Sequence, residues 1–537
     1  MVEWLSRPGV RMGALTGLCF AAALGLGAGQ RVRLSTTIQE SNVMDISVQV
    51  DFGKDLGQNF GTLFEAVDAR GRVVAGAGFP GLYNTTCRND RRGLQFYVRP
   101  AQDTTPPQIE TLPRFSDDTG VYVGDINGRM YALGQRVATR AQAWDPAAGR
   151  WETAPEYADA SLRNGDGEMH LGSGRLTFKN SRIEHDGGLV LAAPEGESIH
   201  HVYYAPGYLF FFHDRPGEAK DGAFTRVCAL PWTPGQAEPP DLAQAIARPT
   251  FSLHETTWAW GQTGGKVLTV TNWGTVLAFD GKGWQTLREH DGKSYQVYAM
   301  LNYYDRLLLG QYPSGSLHEY DGETLTQREK WPPAMPGVAT TAREAQSLAL
   351  YRGDLYTGVW PWAELWRFDR DVDDWSLVRR LFTRPPITDR VGHPFEAEIL
   401  AYNAAHDAKN VWNDWGQRAT SLAAAGDALY IGTSNKGGSL RPPDYTFIDD
   451  ATLAEYGLVH RMRLPGHLSC QVRWVDGPTA FRFVVADGRM SVSQDGVEIA
   501  SAALDAGTAA GLAGVSVAYG SGLFGPLAGN LIRDVNR

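Results

Sequence analysis

The sequence predicts an all-β protein, a seven-bladed β-propeller with flanking β-sandwich segments, with six or eight blades as alternatives. Three observations point there. Glycine (61 residues) and aromatic side chains (11%) are plentiful while charged residues make up only 20% of the 537 positions, the balance of a turn-rich strand protein. Alternating segments joined by Gly, Pro or Asn turns recur in pairs, as hairpins do. Their spacing of roughly 40 to 50 residues is the length of a four-stranded blade.

The first thirty residues differ in kind from the rest. Arg7 and Arg11 precede an apolar run from Gly13 to Leu26, followed by the small residues Gly27, Ala28 and Gly29. This reads as a secretory signal over residues 1–29. An apolar run of about fourteen residues is shorter than the roughly 20 a membrane helix needs, so a membrane is expected only through an uncleaved N-terminus. Cys19 follows the large residue Leu18, which argues against lipid attachment there. The expected location is secreted or periplasmic. Loss of Glu3, Arg7 and Arg11 with the signal takes the net charge from -10 to -11, and an acidic surface disfavours nucleic acid. Cys87, Cys228 and Cys470 remain, so at most one disulfide forms within the chain.

Four segments carry the repeat: 267–280, 308–321, 355–369 and, less perfectly, 121–133. Three end in an aromatic residue followed by aspartate, and Phe279-Asp280 and Phe368-Asp369 are followed by Trp284 and Trp375; Trp144-Asp145 with Trp151 repeats the pattern. The interval is 41 residues from Asp280 to Asp321, 48 from Asp321 to Asp369, and 135 from Asp145 to Asp280, the last being about three periods of 45. Over roughly 121–447 the chain resembles the kelch-like propellers, whose outer hairpin carries an aromatic residue and a tryptophan; the double glycine usual in that family is mostly absent. Second strands of blades are expected near Val121, Leu189, Leu209, Val267, Leu307, Leu355 and Leu429.

The domains expected are therefore the signal at 1–29, an N-terminal β-rich flank at 30–110, the propeller at 111–450 and a sandwich-like segment at 451–537. Alternation at 45–51 and a strand at 61–67 mark the first flank; 468–475, 481–485 and 490–500 mark the second. The hairpin at 490–500, with Asp495-Gly496 at its turn, is similar to hairpins of laminin-G and concanavalin-like sandwiches. The two flanks are expected to pair into one sandwich, because chain ends often meet.

In a propeller the innermost strand of each blade lines the channel, and the segment leading into it opens on the ligand face. Five consecutive blades place polar residues at that register: His200 and His201, His254 and Glu255, Tyr295 and Gln296, Arg343 and Glu344, Gln417 and Arg418. His200 and His254 are expected as base or acid and Tyr295 as proton donor. Arg343 and Arg418 would neutralise a carboxylate, and Glu255, Trp412 and Trp415 would contact substrate. This set resembles propeller-type polysaccharide lyases, which implies removal of the proton beside a uronate. Glu255 and Glu344 would instead be the carboxylate pair of a glycosidase. Alternatively, the polar residues make a wet channel mouth and the protein is a non-catalytic binding or assembly module. The partners expected are a polysaccharide or oligosaccharide and other envelope proteins.

No cofactor or metal is expected. Asp369, Asp371, Asp373 and Asp374 have calcium-loop spacing but lack the glycine and glutamate such a loop needs, and read as an exposed acidic turn. Asn84-Thr85-Thr86 is a formal glycosylation sequon. No CxxC, Gly-rich phosphate loop, GxSxG elbow or HExxH pair occurs, which sets aside zinc, nucleotide and serine-hydrolase chemistry.

Overall fold

The repeat unit of the sequence is a four-stranded antiparallel sheet in the computed structural model, which describes residues 34–38, 43–84, 90–103, 105–126, 128–136, 141–153, 167–388, 391–406 and 411–532. The signal segment lies outside the described residues, as do Cys87 and both threonines of the sequon. Among the described residues no helix is long and apolar enough to cross a membrane.

Seven such sheets form the propeller among the described residues: 121–153, 167–192, 198–249, 257–288, 296–327, 344–380 and a seventh built on 418–463. They are numbered here as blades 1 to 7. The seventh takes its outermost strand from the other end of the chain, Gln108–Thr111, which pairs with Val459–Arg463. Ring closure thus uses backbone hydrogen bonds between segments some 350 residues apart, with Thr111 opposite His460.

The repeated aspartate turns out to be a turn-former. Asp280 accepts from the backbone N–H groups of Lys282 and Gly283, Asp321 from Glu323 and Thr324, and Asp145 from Ala147 and Ala148. Each closes the hairpin between the third and fourth strands of its blade, as short acidic side chains do. The tryptophan that follows reaches the preceding blade: Trp284 Nε1 donates to the Ile246 carbonyl at 2.8 Å and Trp151 Nε1 to that of Pro113 at 2.6 Å. Both acceptors lie on or just after the outermost strand of the neighbouring blade. Trp375 packs instead on Trp331 beyond the outer strand of blade 5. Between blades, buried aromatic residues such as Phe210, Trp260 and Phe279 fill the gaps.

Two expected strand positions shift. Val121 opens the innermost strand of blade 1, not its second, and Leu189 lies in the outermost strand of blade 2, whose second strand is Gly174–Lys179. Alternation alone identifies a strand but not its place in the blade. The boundary expected at 450 also moves, since Val459–Arg463 is the third strand of blade 7, and so does the one at 110, since Gln108–Thr111 is a blade strand.

Both chain ends build one sandwich. One sheet runs Leu34–Ile38, Met44–Asp51, Thr479–Ala486, Arg489–Gln494, Val497–Ala503; the other runs His467–Gln471, Gly93–Val98, Val73–Phe79, Gly61–Val67, Ser516–Tyr519. Met44, Ile46, Val48 and Val50 alternate inward and meet Phe64, Phe96 and Phe483 in a shared core, as period-two patterning requires. A segment near the C-terminus supplies the edge strand Ser516–Tyr519. Cys470 is buried in this sandwich and Cys228 in the core of blades 2 and 3, both as free thiols.

The sandwich covers one end of the channel. The hairpin between first and second strands of every blade touches it or the loops that leave it: Gly207 N–H donates to Leu56 O, Gln262 Nε2 to Gly57 O, Tyr304 N–H to Leu523 O, and Ser469 N–H to Gly426 O. Gly172 and Asp55 join blade 2, Gln471 and Asp125 blade 1, and Arg352 with His467 blade 6. From the sandwich the chain also enters the channel itself. Leu82–Asn84 pairs antiparallel with the innermost strand of blade 5, with Tyr83 opposite Met300.

Candidate functional site at the two ends of the channel

The innermost strands begin at the face opposite the sandwich, and the polar register recognised in the sequence lies there. Its regularity has a backbone cause. Tyr295 N–H donates to Asn272 O at 3.1 Å, Arg343 N–H to Pro313 O at 2.8 Å and Gln417 N–H to Pro361 O at 2.9 Å. Each bond ties the segment leading into one blade to the turn between second and third strands of the blade before it.

Most of the side chains at this register are bonded within the blades. Arg343, 3% exposed, donates to Glu364 Oε2 at 2.9 Å and to Pro333 O at 3.0 Å. Arg418 donates to Asn413 Oδ1 at 2.7 Å and lies over the Trp360 ring, with Glu344 at 4.0 Å. Glu255 accepts from Phe251 and Ser252 N–H and from Thr271 Oγ1, which places its carboxylate in the service of its own turn. Trp415 is 1% exposed and packs edge-on to Tyr456 in the core of blades 6 and 7, so it presents no face to a ligand. Trp412 is half-buried against His393, with ring centroids 4.6 Å apart. Both stand on a short helix, Val411–Trp415, inserted between those blades.

The remaining three are more open or less satisfied. His200 has Nδ1 3.4 Å from Asp214 Oδ1, and burial, partly offset by Asp214, holds its pKa below the usual histidine value. His254 is exposed. Tyr295 is buried beneath Arg288, whose guanidinium sits 4.4 Å from the ring centroid. Its hydroxyl has no hydrogen-bond partner among the described residues, and burial pushes its pKa up. Among the described residues no hydrogen bond, ion pair or ring contact links His200, His254 and Tyr295 to one another.

A second regularity was not visible in the sequence. The innermost strands of blades 3 to 7 each carry a one-residue bulge at the same register, between His200 and Tyr203, Thr257 and Trp260, Val297 and Ala299, Ala345 and Ser347, and Ala419 and Ser421. A bulge re-aims the extra side chain. The residues concerned are His201, Trp258, Tyr298, Gln346 and Thr420. The first three meet in succession: His201 lies edge-on to Trp258 at 5.7 Å, and Trp258 stacks on Tyr298 at 6.1 Å with 25° between planes. Around them on the same face, Phe251 is 69% exposed and lies tilted against His290 with centroids 3.6 Å apart, and Trp273 is 36% exposed. The extra residue of a bulge is defined only by its partner strand, so single-strand alternation gives no signal for it.

At the sandwich end the channel holds a small cavity that is partly open to solvent. Its wall includes Tyr203 and Trp260, whose planes lie 2° apart at 6.1 Å. Asp90, Arg91, Asp125 and His170 also face it. Arg91 pairs with Asp55 at 2.8 Å and His170 with Asp90 at 3.2 Å. Asp125 is 6% exposed; burial, then the charge of Asp90, pushes its pKa up to about 7.

No known family model matches the chain, and no curated protein does. Its fold is similar to solved β-propellers. A computationally designed protein, Ika8, is 12% identical over 77% of this chain and 100% of its own, with a TM-score of 0.31. The RRP9 WD40 repeats are 12% identical over 67% and 99%, TM-score 0.35. BamB from Moraxella catarrhalis is 11% identical over 80% and 100%, TM-score 0.25. At these identities the likeness is one of architecture, and function has to be argued from the site.

Proposed function

We propose that this protein is an exported glycan-binding propeller that holds a polysaccharide or oligosaccharide on the face opposite the sandwich. The observation that carries the reading is the Trp258–Tyr298 stack in the channel mouth, with Phe251, His290 and Trp273 around it. Aromatic rings with polar neighbours suit a sugar, which offers an apolar C–H face and a rim of hydroxyls.

Binding without catalysis fits the geometry better than either enzymatic version. A proton-transfer catalyst must stand within hydrogen-bond reach of its substrate, and Arg343, Arg418 and Glu255 are engaged within the blades. The likeness to propeller-type polysaccharide lyases then rests on His200, His254 and Tyr295. The hydrolase version needs Glu255 and Glu344, which are 2% and 4% exposed. An assembly role with other envelope proteins is the alternative within the binding class.

The test is retention of the purified protein on immobilised uronate-containing and neutral polysaccharides, with absorbance of unsaturated product and new reducing ends followed in parallel. Retention that is lost in Trp258→Ala and Tyr298→Ala, with no product, is the expected result. Unsaturated product that disappears in His200→Ala or Tyr295→Ala would make the protein a lyase, and reducing ends alone a hydrolase. No retention across the panel would shift the reading to a protein partner.

A further inference from the structure

Between the sandwich and the hairpins of blades 3 and 4 lies a separate cleft of about 310 Å³, partly open to solvent. On the propeller side it is lined by Pro206 and Tyr208 of blade 3 and by Val267 and Phe279 of blade 4. On the sandwich side it is lined by Pro526 and Leu527, from the chain that follows the edge strand Ser516–Tyr519. The polar groups among these apolar ones are mainly amides, and their nitrogens are spent. Asn59 Nδ2 donates to Asn302 Oδ1 at 2.7 Å, Asn302 Nδ2 to Gln262 O at 2.9 Å, and Gln262 Nε2 to Gly57 O at 2.9 Å and the Tyr203 hydroxyl at 2.7 Å. Gln262 Oε1 and Asn59 Oδ1 accept no hydrogen bond among the described residues. The Tyr208 hydroxyl is engaged by the Gly281 carbonyl at 2.9 Å. Lys266, the charged residue of the lining, turns its ammonium to blade 5, donating to Gly322 O at 2.8 Å and to the Tyr320 hydroxyl at 3.3 Å.

From this arrangement we infer that the cleft binds a neutral, largely apolar small molecule with a single hydroxyl or N–H donor, of the size of a phenol or an indole, its donor directed to Gln262 Oε1 or Asn59 Oδ1. Concave sites with an apolar lining and a few placed polar groups are the usual form of a small-molecule site, and an apolar cavity of about half this volume is enough to hold a benzene ring. The two open carbonyls select for the donor, since a buried acceptor left unpaired is costly. A carboxylate is the less suitable occupant, because the Lys266 head is held on blade 5 and a charge without a partner is expensive to desolvate. A sugar is served no better, having more hydroxyls than the lining has open partners. The inference does not depend on glycan binding at the opposite mouth.

The experiment is titration calorimetry of the full chain with phenol and indole as probes, toluene as a ring without a donor, and benzoate and glucose as controls. Phenol and indole are expected to bind, toluene to bind about fivefold more weakly for want of a hydrogen bond, and the controls to stay silent. Leu527→Trp, whose larger ring occupies the cleft, and Ala528→Trp at its exposed rim should abolish binding of phenol, while Trp258→Ala at the opposite mouth leaves it unchanged. Gln262→Leu should bring phenol and toluene to equal affinity. Circular dichroism and melting of each variant establish that it is folded. Silence of both phenol and indole would overturn the inference, as would binding that survives both tryptophan substitutions, toluene binding as tightly as phenol to the parent, or benzoate or glucose binding as tightly as phenol.

Discussion

Asn84 pairs with Leu348 as a peptide group would: its Nδ2 donates to the Leu348 carbonyl at 3.2 Å and its Oδ1 accepts from the Leu348 N–H at 3.3 Å. Leu348 belongs to the innermost strand of blade 6, while the backbone of Asn84 pairs with Ala299 in blade 5. One asparagine thus joins the free inner edges of two blades to the segment that enters the channel.

Asn84→Ala is expected to cost about 1–3 kcal/mol, because it leaves a buried N–H and a buried carbonyl of Leu348 without partners. Denaturant unfolding measures this. Asn84 is 2% exposed with both ends of its amide engaged, so its side chain is closed to modification in the folded protein. Peptide mapping after expression in a glycosylating host is expected to show Asn84 unmodified.

The sandwich is held to blade 6 by a buried ionic network. Arg99 from the sandwich pairs with Asp354 and Asp371, Arg367 with Asp354 at 2.8 Å and Asp103 at 2.9 Å, and Arg352 with Asp103. Asp371, part of the acidic turn in the sequence, is thereby a partner for Arg99. Removing one member of a buried pair strands the other charge. Asp354→Ala is expected to lose about 3–5 kcal/mol, and calorimetry should show the sandwich and propeller melting as separate transitions.

Buried neutral histidines make the fold acid-sensitive. Burial lowers His393 and His467 to about 3 and His318 and His460 to about 4. The unfolded chain titrates near 6.5, so it binds more protons than the folded chain as pH falls below that value. The contribution of these histidines is full above pH 6.5 and declines progressively toward pH 3 to 4. His467 accepts the Arg352 N–H at 3.1 Å and bonds Ser469 Oγ at 2.8 Å. His467→Gln should flatten the acid limb of a Tm-against-pH curve.

Asp125 acts in the opposite direction. With its folded pKa raised to about 7 from 3.8, the folded state keeps a proton the unfolded state has lost, so stability falls as pH rises from about 4 to 7. The groups facing it are Asp90 from the channel segment, and Gln471 and Cys470 from the sandwich. Asp125→Asn is expected to be more stable than the parent at pH 8, by at most about 4 kcal/mol, and unchanged at pH 4. Equal melting temperatures at both pH values would show that Asp125 is ionised at neutral pH in the fold.

The sequence by itself determined the architecture, because a blade is local. Alternation, the Asp280-type turn and the Trp284-type anchor each act within some 40 residues, so they recur as a readable pattern, and the polar register of Tyr295 and Arg343 followed from it. Only the tertiary structure decided what that register does. Whether Arg343 faces a ligand or Glu364 depends on neighbours set by packing, and the bulges that aim Trp258 and Tyr298 exist only relative to a partner strand. The channel segment at Asn84, the ring closure by Gln108–Thr111 and the cavity at Asp125 join residues hundreds of positions apart. Contacts of that range leave no periodic trace in the chain, since each is a single meeting of two segments and not a repeat.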